Sequence, residues 1–378
     1  MIPLSVPNIS GNEWTYIKDC LDSNWVSSVG SYVSLFEKKV AEFCGVSNAI
    51  ATSNGTSALH MSLLLAGVKR NDLVILPNVT FVAPANAIKY LSADPILVDI
   101  DAGTWQIDLT LLSKFLDSET SVINSECIHK KSQRKISAVL PVHVLGNMCD
   151  MEILMRLSAH YHIPVVEDST EALGSYYRKK HAGTFGMFGC LSFNGNKIIT
   201  TGGGGMILCS DKDLAKKAKH LTTQAKANPD EYYHDEVGYN YRLVNILAAM
   251  GVAQMEQLPG FLLRKKQIFD NYNEFFKGIH GTVSQKVTID VSPNNWLYTI
   301  RVSNQEDLRK YFKENNVEVR PLWVPMNQLP AFKNDIYINT QNVSDQLYKS
   351  CLSLPCSTGL TNEDQAEVID LLRGFYND

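Results

Sequence analysis

The sequence predicts an α/β protein with a mostly parallel sheet, followed by a smaller α+β domain. The first observation is a series of short apolar, β-branched segments that alternate with helical patterns, as in "LVILPN" (73–78), "PILVDI" (95–100) and "IPVVED" (163–168). Strands that are apolar at every position are typical of parallel sheets covered by helices on both faces. The second observation is a change near residue 250 to a long helical stretch and then an alternating strand. We therefore divide the chain at 1–250 and 251–378.

The elements of the first domain follow one another as strand and helix. Their predicted order is strand 49–53, helix 56–68, strand 73–78, helix 81–93, strand 95–100, strand 136–144, helix 151–162 and strand 163–168. The second domain is predicted to contain a helical stretch 245–279 interrupted at Pro259 and Gly260, a strand 296–302, and helices 305–316 and 362–376. We expect the N-terminal segment to cross to this smaller domain. Ligands of such folds gather at the C-terminal ends of the parallel strands.

Composition excludes several classes of protein. The 378 residues are 45% hydrophobic and 20% charged, which predicts an ordinary packed core. A net charge of −4 argues against a partner made of nucleic acid or anionic membrane. No basic-then-apolar leader opens the chain, and no apolar run approaches the ~18 residues of a membrane span. The eight cysteines include no C-x-x-C, so we expect no structural metal, no disulfide framework and a cytoplasmic location.

Lys197 is the only charged residue of the stretch "SFNGNKIITTGGGG" (192–205). Three interpretations fit it: a surface-loop lysine, an anion-binding lysine, or a lysine that forms a Schiff base with a carbonyl cofactor. The glycine run 202–205 lacks the spacing and the lysine of a nucleotide P-loop. It predicts instead positive φ angles or a close approach of the backbone to a neighbour. Other residues must decide between the three interpretations.

Asp168 ends the apolar segment "VVED", where a carboxylate can face a ligand. Pyridoxal phosphate requires a carboxylate against its ring nitrogen, because the negative charge keeps the pyridinium protonated. The alternative is that Asp168 or Ser169 caps a helix opening in "EDSTEALGS".

The segment "TSNGTSALH" (52–60) combines a strand end, a glycine turn and the start of a helix at Thr56 and Ser57. Free N–H groups and hydroxyls there form an anion pocket, although simple helix capping explains the same residues. Ser192 can add a hydrogen bond to a phosphate. Phe81 follows a strand in "NVTFVAPAN" and either covers a planar ring or packs in the core.

These motifs together resemble a known family. "NGTSAL", "FVAPANA", "VVEDSTEALGS", "SFNGNK" and "GYNYRL" are similar to the nucleotide-sugar aminotransferases of the DegT type, in the family's order over residues 1–330. The resemblance implies a fold-type I pyridoxal-phosphate enzyme whose large domain has a mostly parallel seven-stranded sheet. The opening segment with "SFNGNKIITTGGGG" resembles the subgroup that aminates a UDP-linked 4-keto-6-deoxy-N-acetylhexosamine on the bacillosamine and legionaminic acid routes.

The resemblance also assigns roles. Lys197 would carry the cofactor and shuttle protons, Asp168 would bind the pyridine nitrogen, and Phe81 would stack on the ring. The phosphate would be surrounded by Gly55, Thr56, Ser57 and Ser192. Asn240 in "GYNYR" would reach the phosphate of the other subunit's cofactor, which implies a homodimer with shared active sites. Arg242 would assist substrate or interface contacts.

One position departs from the wider family. Many members carry Gln or His three residues after the ring-binding aspartate, and this chain has Glu171. A carboxylate there can donate to the phenolic oxygen of the cofactor only when protonated, and it can otherwise set donor or sugar specificity. Candidate sugar contacts are Trp25 and Ser27, by resemblance, and Arg320 and Trp323, for which a structural turn with a packed Trp is the alternative.

The implied reaction is a ping-pong transamination from L-glutamate to the nucleotide-linked keto-sugar. The alternatives are a GDP-4-keto-6-deoxymannose aminotransferase of the perosamine type and, in another class, a cofactor-binding regulatory protein without turnover. A nicotinamide-dependent oxidoreductase is disfavoured, because no G-x-G-x-x-G joins a first strand to a helix.

Overall fold

The computed structural model describes residues 1–228 and 230–377, and the side chains of 1–228 and 230–376. The described residues form eleven α-helices: α1 Glu13–Asp22, α2 Ser31–Cys44, α3 Gly55–Leu65, α4 Val82–Tyr90, α5 Leu109–Glu119, α6 Met151–Tyr161, α7 Lys212–Thr222, α8 Asn245–Phe276, α9 Gln305–Glu314, α10 Val343–Tyr348 and α11 Asn362–Asn377.

The same residues form seventeen strands. They are β1 Asn48–Thr52, β2 Leu73–Pro77, β3 Asp94–Val98, β4 Thr120–Ile123, β5 Glu126–His129, β6 Lys135–Val139, β7 Val166–Asp168, β8 Tyr176–Tyr177, β9 Lys180–His181, β10 Phe188–Ser192, β11 Gly205–Cys209, β12 Val283–Ser284, β13 Val291–Ser292, β14 Thr299–Arg301, β15 Arg320–Pro321, β16 Ile336–Ile338 and β17 Cys351–Ser353.

The central sheet has the order β1-β11-β10-β7-β6-β2-β3. Regular ladders join β1 to β7 through β11 and β10, and join β6 to β3 through β2. Parallel bridges from Val139 to Val165 and from Val142 to Asp168 connect the two halves. Among these seven strands only β11 runs against its neighbours, so the predicted mostly parallel seven-stranded sheet is confirmed. The hairpin β4–β5 is added beside β6 in antiparallel pairing. The short strand β16 extends the sheet in parallel beside β3.

The apolar strands are buried because helices cover both faces of the sheet. All five residues of β2 are buried, and they alternate between two core clusters. Val74 and Leu76 pack into one cluster, whereas Leu73 and Ile75 pack into the other. Four helices of this layer begin at side-chain N-caps, which satisfy otherwise free N–H groups; the caps are Asn54, Asp108, Asp150 and Asp211.

The predicted interruption at Pro259 and Gly260 is wrong, because α8 is continuous over 32 residues with Pro259 inside it. An interior proline costs a helix roughly 3 kcal/mol. Packing outweighs that cost here, since Leu258 and Phe261 on either side of the proline are buried in the core. By length and composition α8 is the one described helix that could cross a membrane, and it is half-buried within this fold.

The C-terminal part builds a second, antiparallel sheet in the order β12-β14-β17-β15. The N-terminal segment reaches it, since Ile2 exchanges backbone hydrogen bonds with Asn316 and Glu318, and Leu4 accepts one from Cys356. We propose to keep the division at 1–250 and 251–378, although residue 250 lies within α8.

Candidate active site

A cleft of ≈ 360 Å³ opens where the parallel strands end. The ends of β1, β2, β7 and β10 lead into its walls, as expected for an open α/β sheet. The second part of the chain closes it with two tryptophans, Trp296 and Trp323. The cleft brings together most of the residues selected from the sequence: Gly55, Thr56, Phe81, Asp168, Glu171, Ser192, Lys197 and Trp323.

Lys197 lies in the loop between β10 and β11, and its amine points into this cleft. The side chain is only 14% exposed, and Nζ lies 3.8 Å from Glu171 Oε1. Nζ also lies 4.2 Å from the centroid of the Trp296 ring. Burial lowers the pKa of Lys197, and the nearby charges of Glu171 and Asp168 only partly oppose that effect. The interpretation of Lys197 as a surface-loop lysine therefore does not fit the structure.

The glycine run after Lys197 shows both predicted features, a positive φ angle and a close approach of the backbone to a neighbour. Gly202 has a φ of +77°, in the left-handed region that other residues rarely adopt. A Cβ added to Gly205 would lie 2.4 Å from the carbonyl oxygen of Asn54 and 2.7 Å from the nitrogen of Gly55. The glycine thus allows the lysine loop to pack directly on the start of α3.

Asp168 is the last residue of β7 and is 2% exposed. Its Oδ1 accepts a hydrogen bond from the Thr170 N–H at 3.1 Å, in a turn. No helix begins at 168 or 169 in the described chain, so the helix-cap alternative is wrong. Burial raises the pKa of Asp168, while Thr170 and the charge of Lys197 lower it. A cationic ring nitrogen beside this carboxyl would stabilise its ionised form.

The start of α3 presents N–H groups to the cleft, and Ser57 is one residue of the predicted phosphate set that lies outside it. The N–H groups of the first turn, including those of Gly55 and Thr56, have no partner within the helix. Ser57 does not line the cleft: its N–H donates to Asn54 Oδ1 at 2.8 Å and its hydroxyl pairs with Ser53 Oγ at 3.1 Å. Ser57 therefore serves the cap, and Ser192 faces the cleft from the other side.

Phe81 is 54% exposed at the N-cap of α4 and lines the cleft, so the core-packing alternative does not apply. Its neighbour Thr80 was not selected from the sequence. The Thr80 hydroxyl is buried, lines the cleft and has no hydrogen-bond partner in the described chain. Its sequence signal was a place shortly after the strand β2, which ends at Pro77.

Glu171 and Glu167 are two buried glutamates with different surroundings. Glu171 Oε2 accepts one hydrogen bond, from the Leu145 N–H at 2.8 Å, and burial raises the pKa of Glu171 to about 7. Glu167 pairs with His143 Nε2 at 3.0 Å and accepts three backbone N–H groups. Although burial opposes it, these partners lower the pKa of Glu167. The sequence reasoning missed this pair, whose signal was a polar residue at the end of each of two apolar strands.

Trp296 is the largest omission of the sequence reasoning. Its ring lies under the Lys197 amine and stacks on Trp323 at 6.3 Å with an angle of 10°. Its indole Nε1 donates to the Asn196 carbonyl at 2.8 Å, next to Lys197. In the sequence it opens an alternating strand, where core packing is the ordinary explanation.

Besides Ser57, five selected residues lie outside the cleft within this single chain: Trp25, Ser27, Asn240, Arg242 and Arg320. Arg320 is exposed and pairs with Glu318 at 2.6 Å. Trp25 and Arg242 line a separate surface cleft, in which Arg242 pairs with Glu37 at 2.8 Å, and Ser27 is exposed nearby.

Asn240 also lies outside the cleft. It is exposed, and its side chain makes no hydrogen bond to the described part of the chain. Its backbone forms a bridge with Thr223.

One surface group of metal-ligand types occurs among the described residues, formed by His220, Asp235 and Glu236. His220 pairs with Asp235 at 2.7 Å, and Lys217 forms an ion pair with Glu236. The three side chains are therefore engaged in these pairs, and they do not line the cleft.

The cleft fits pyridoxal phosphate by its donor set. It offers a shielded amine in Lys197, a carboxyl in Asp168, an aromatic face in Phe81 and a helix N-terminus for a phosphate. A Cβ on Gly55 would lie 2.9 Å from Ser192 Cβ, so this glycine keeps the anion pocket open. The arrangement is that of a pyridoxal-phosphate-dependent aminotransferase.

Comparison with known proteins shows the family of the chain. The chain belongs to the DegT/DnrJ/EryC1/StrS aminotransferase family, whose model matches residues 7–373. It is 38% identical to a GDP-perosamine synthase of Escherichia coli O157:H7, over 100% of this chain and 99% of that one. It is 34% identical to a GDP-perosamine synthase of Caulobacter vibrioides, over 98% and 97% of the two chains.

A crystal structure of a family member from Brucella abortus has the same fold, with a TM-score of 0.89, 24% identity and coverage of 97% and 96%. Solved neighbours include forms with pyridoxal phosphate and pyridoxamine phosphate. The fold class, the cofactor and the transaminase class expected from the sequence are thereby confirmed. The UDP-sugar subgroup is not confirmed, because the two relatives named above are GDP-perosamine synthases.

Proposed function

We propose that the chain transfers the amino group of L-glutamate to the C4 ketone of GDP-4-keto-6-deoxymannose and so makes a GDP-4-amino sugar. The observation that carries the choice of nucleotide is the full-length similarity to GDP-perosamine synthases. The UDP-4-keto-6-deoxy-N-acetylhexosamine expected from the sequence motifs becomes the competing substrate.

Lys197 performs the covalent and proton-transfer work. When bound, pyridoxal phosphate supplies a carbonyl that condenses with amines and a ring that accepts electrons from the adjacent carbon. Burial lowers the pKa of the Lys197 amine and so favours its neutral form, which is both a nucleophile and a base. With the cofactor bound, Nζ would act as the base that takes the proton from the donor's α-carbon and as the acid that returns it. With the keto-sugar, Nζ moves protons in the opposite direction.

The other residues of the cleft would hold and orient the cofactor and the sugar. Asp168 would hold the ring nitrogen of the cofactor, and Phe81 would pack against its ring. The first turn of α3 and Ser192 bind the phosphate dianion through N–H and O–H donors. Trp296 and Trp323 form the wall on which we place the sugar, since stacked indoles offer an apolar face to a hexose.

We propose that two copies of the chain share their active sites. Asn240 then reaches the cofactor phosphate of the partner, and Trp25, Ser27 and Arg242 lie at or near the interface. Several large apolar side chains are exposed on the single chain, as is typical of interaction surfaces; they include Trp14, Trp25, Val29, Tyr232 and Val237. We further propose a cytoplasmic location, in keeping with eight buried, unpaired cysteines.

The test is a comparison of two ketones. Cofactor-loaded protein is supplied with L-glutamate and with either the GDP-linked or the UDP-linked 4-keto-6-deoxy sugar, and the amino sugar is measured by mass spectrometry. We expect kcat/KM to favour the GDP-linked ketone by at least ~10²-fold, equivalent to about 2.7 kcal/mol. A preference for the UDP-linked ketone would overturn the proposed substrate while leaving the reaction class intact.

A further inference from the structure

The two carboxyl oxygens of Glu171 have unequal surroundings. Oε2 accepts the hydrogen bond from the Leu145 N–H at 2.8 Å. Oε1 forms an ion-pair contact with Lys197 Nζ at 3.8 Å, which is beyond hydrogen-bond distance. The residue is 4% exposed and lines the cleft. One oxygen therefore accepts a backbone hydrogen bond, and the other faces the Lys197 amine in the cleft.

The donor to Oε2 is held rigidly. Leu145 has a φ of +60°, a conformation that a leucine adopts only when its surroundings require it. The residue before Leu145, Val144, is fixed by the side chain of Gln106. The Gln106 amide accepts a hydrogen bond from the Val144 N–H and donates one to the Val144 carbonyl, both at 3.1 Å. Asn294 donates to the Glu171 carbonyl at 2.8 Å from the other side. These contacts hold the Leu145 N–H in the direction of Oε2.

Glu167 provides an internal comparison. It is as deeply buried as Glu171, but it receives three backbone N–H groups and a histidine ring. A buried carboxylate is stable only when donors or cations replace its lost hydration. Glu167 meets that condition, whereas Glu171 receives one donor and a lysine beyond hydrogen-bond distance.

The charged neighbours of Glu171 in the cleft also favour its neutral form. The charged groups that face Glu171 are Lys197, from the β10–β11 loop, and Asp168, from the end of β7. An anionic Glu171 would add a second negative charge beside Asp168 and would favour the ammonium form of Lys197, which is neither nucleophile nor base. A neutral Glu171 leaves one carboxylate opposite one amine.

We propose that Glu171 works as a neutral carboxylic acid, protonated on Oε1, that donates a hydrogen bond into the cleft to an oxygen of the bound cofactor. The inference rests on the proposed use of the cleft and gives Glu171 a positioning role by donation, which a carboxylate cannot fill. Because the pKa of Glu171 is raised to about 7, the donor is present below that pH and is lost as the pH rises through it.

The first test uses the cofactor-free protein. Infrared difference spectra of wild type against Glu171→Gln should show the C=O stretch of a protonated carboxyl below pH about 7, and the band should vanish above it. Glu152→Gln, at an exposed residue paired with Arg178, serves as the control and should leave the band unchanged. Absence of the band from wild type at the acidic end of this range would overturn the proposal.

The second test measures the dissociation constant of pyridoxal phosphate against pH. Wild-type affinity, relative to Glu171→Gln, should fall about 5- to 10-fold as the pH rises through the Glu171 titration, since one hydrogen bond is lost. Gln keeps both the acceptor for Leu145 and a donor toward the cleft, whereas Glu171→Leu should bind weakly at every pH. Identical profiles for wild type and Glu171→Gln, or full affinity in Glu171→Leu, would overturn the donor role. Failure of wild type to bind pyridoxal phosphate would instead refute the proposed use of the cleft, while the infrared band would still report protonation.

Discussion

The amine of Lys197 lies 4.2 Å from the centroid of the Trp296 ring, although the two residues come from different parts of the chain. The indole shields the amine from water on one side, and its Nε1 holds the adjacent Asn196 carbonyl. Lys265, a buried lysine of α8, donates a hydrogen bond to the Trp296 carbonyl at 2.6 Å and so fixes the backbone of the tryptophan. The C-terminal part of the chain therefore helps to set the environment of the reactive amine.

Replacing Lys197 with Ala should lower turnover by at least ~10³-fold, because nucleophile and base are lost together. Borohydride reduction of cofactor-loaded protein should attach the cofactor to wild type and not to the variant. Lys266→Ala removes an exposed lysine paired with Asp270 and should change neither result. Substantial turnover in Lys197→Ala would show that the assigned lysine is wrong.

Gly205→Ala should destabilise the protein by roughly 1–3 kcal/mol and weaken cofactor binding. The new methyl group would meet backbone atoms of Asn54 and Gly55, which cannot rotate away. Gly260→Ala is the matched control, since nothing lies within 4 Å of its Cβ position inside α8. It should stabilise the protein by about 0.5–1 kcal/mol in the same chemical unfolding experiment. Equal effects of the two substitutions would contradict the close packing of the lysine loop on α3.

Trp323→Ala should raise KM for the nucleotide sugar about 10-fold, equivalent to about 1.4 kcal/mol, with a smaller change in kcat. It removes half of the stacked pair that forms one wall of the cleft. Arg320→Ala should leave KM within about twofold, because its side chain is exposed and paired with Glu318 outside the cleft. Steady-state kinetics that showed the reverse order would place the sugar near Arg320.

Mixed dimers test the shared active site. Asn240→Ala and Lys197→Ala should each have low activity, and mixing the two variants under conditions of subunit exchange should restore part of it. A mixed dimer contains one site with both native residues only if Asn240 acts on the partner's cofactor. Mixing without any recovery, when exchange is shown by mass spectrometry, would place Asn240 in its own subunit's site or in neither.

Local pattern predicted much of the fold and of the site. Apolar segments, glycine turns and strand-end polar residues are local signals, so they located the sheet and the Lys197, Asp168 and Phe81 positions. The continuity of α8 was missed because tertiary packing overrides the propensity of Pro259. Trp296 was missed for a related reason, since only the folded chain brings it to Lys197. Ser57 fits the local pattern of a phosphate ligand, yet its hydrogen bonds serve the cap of α3.

The most direct test of the account follows the nitrogen itself. Cofactor-loaded protein is given nitrogen-labelled L-glutamate and GDP-4-keto-6-deoxymannose, and the isolated sugar nucleotide is analysed by mass spectrometry and NMR. The account predicts one labelled amino group at C4, formed by wild type and absent with Lys197→Ala. A sugar that remains a ketone, or an amine without the label, would contradict transfer from glutamate through this site.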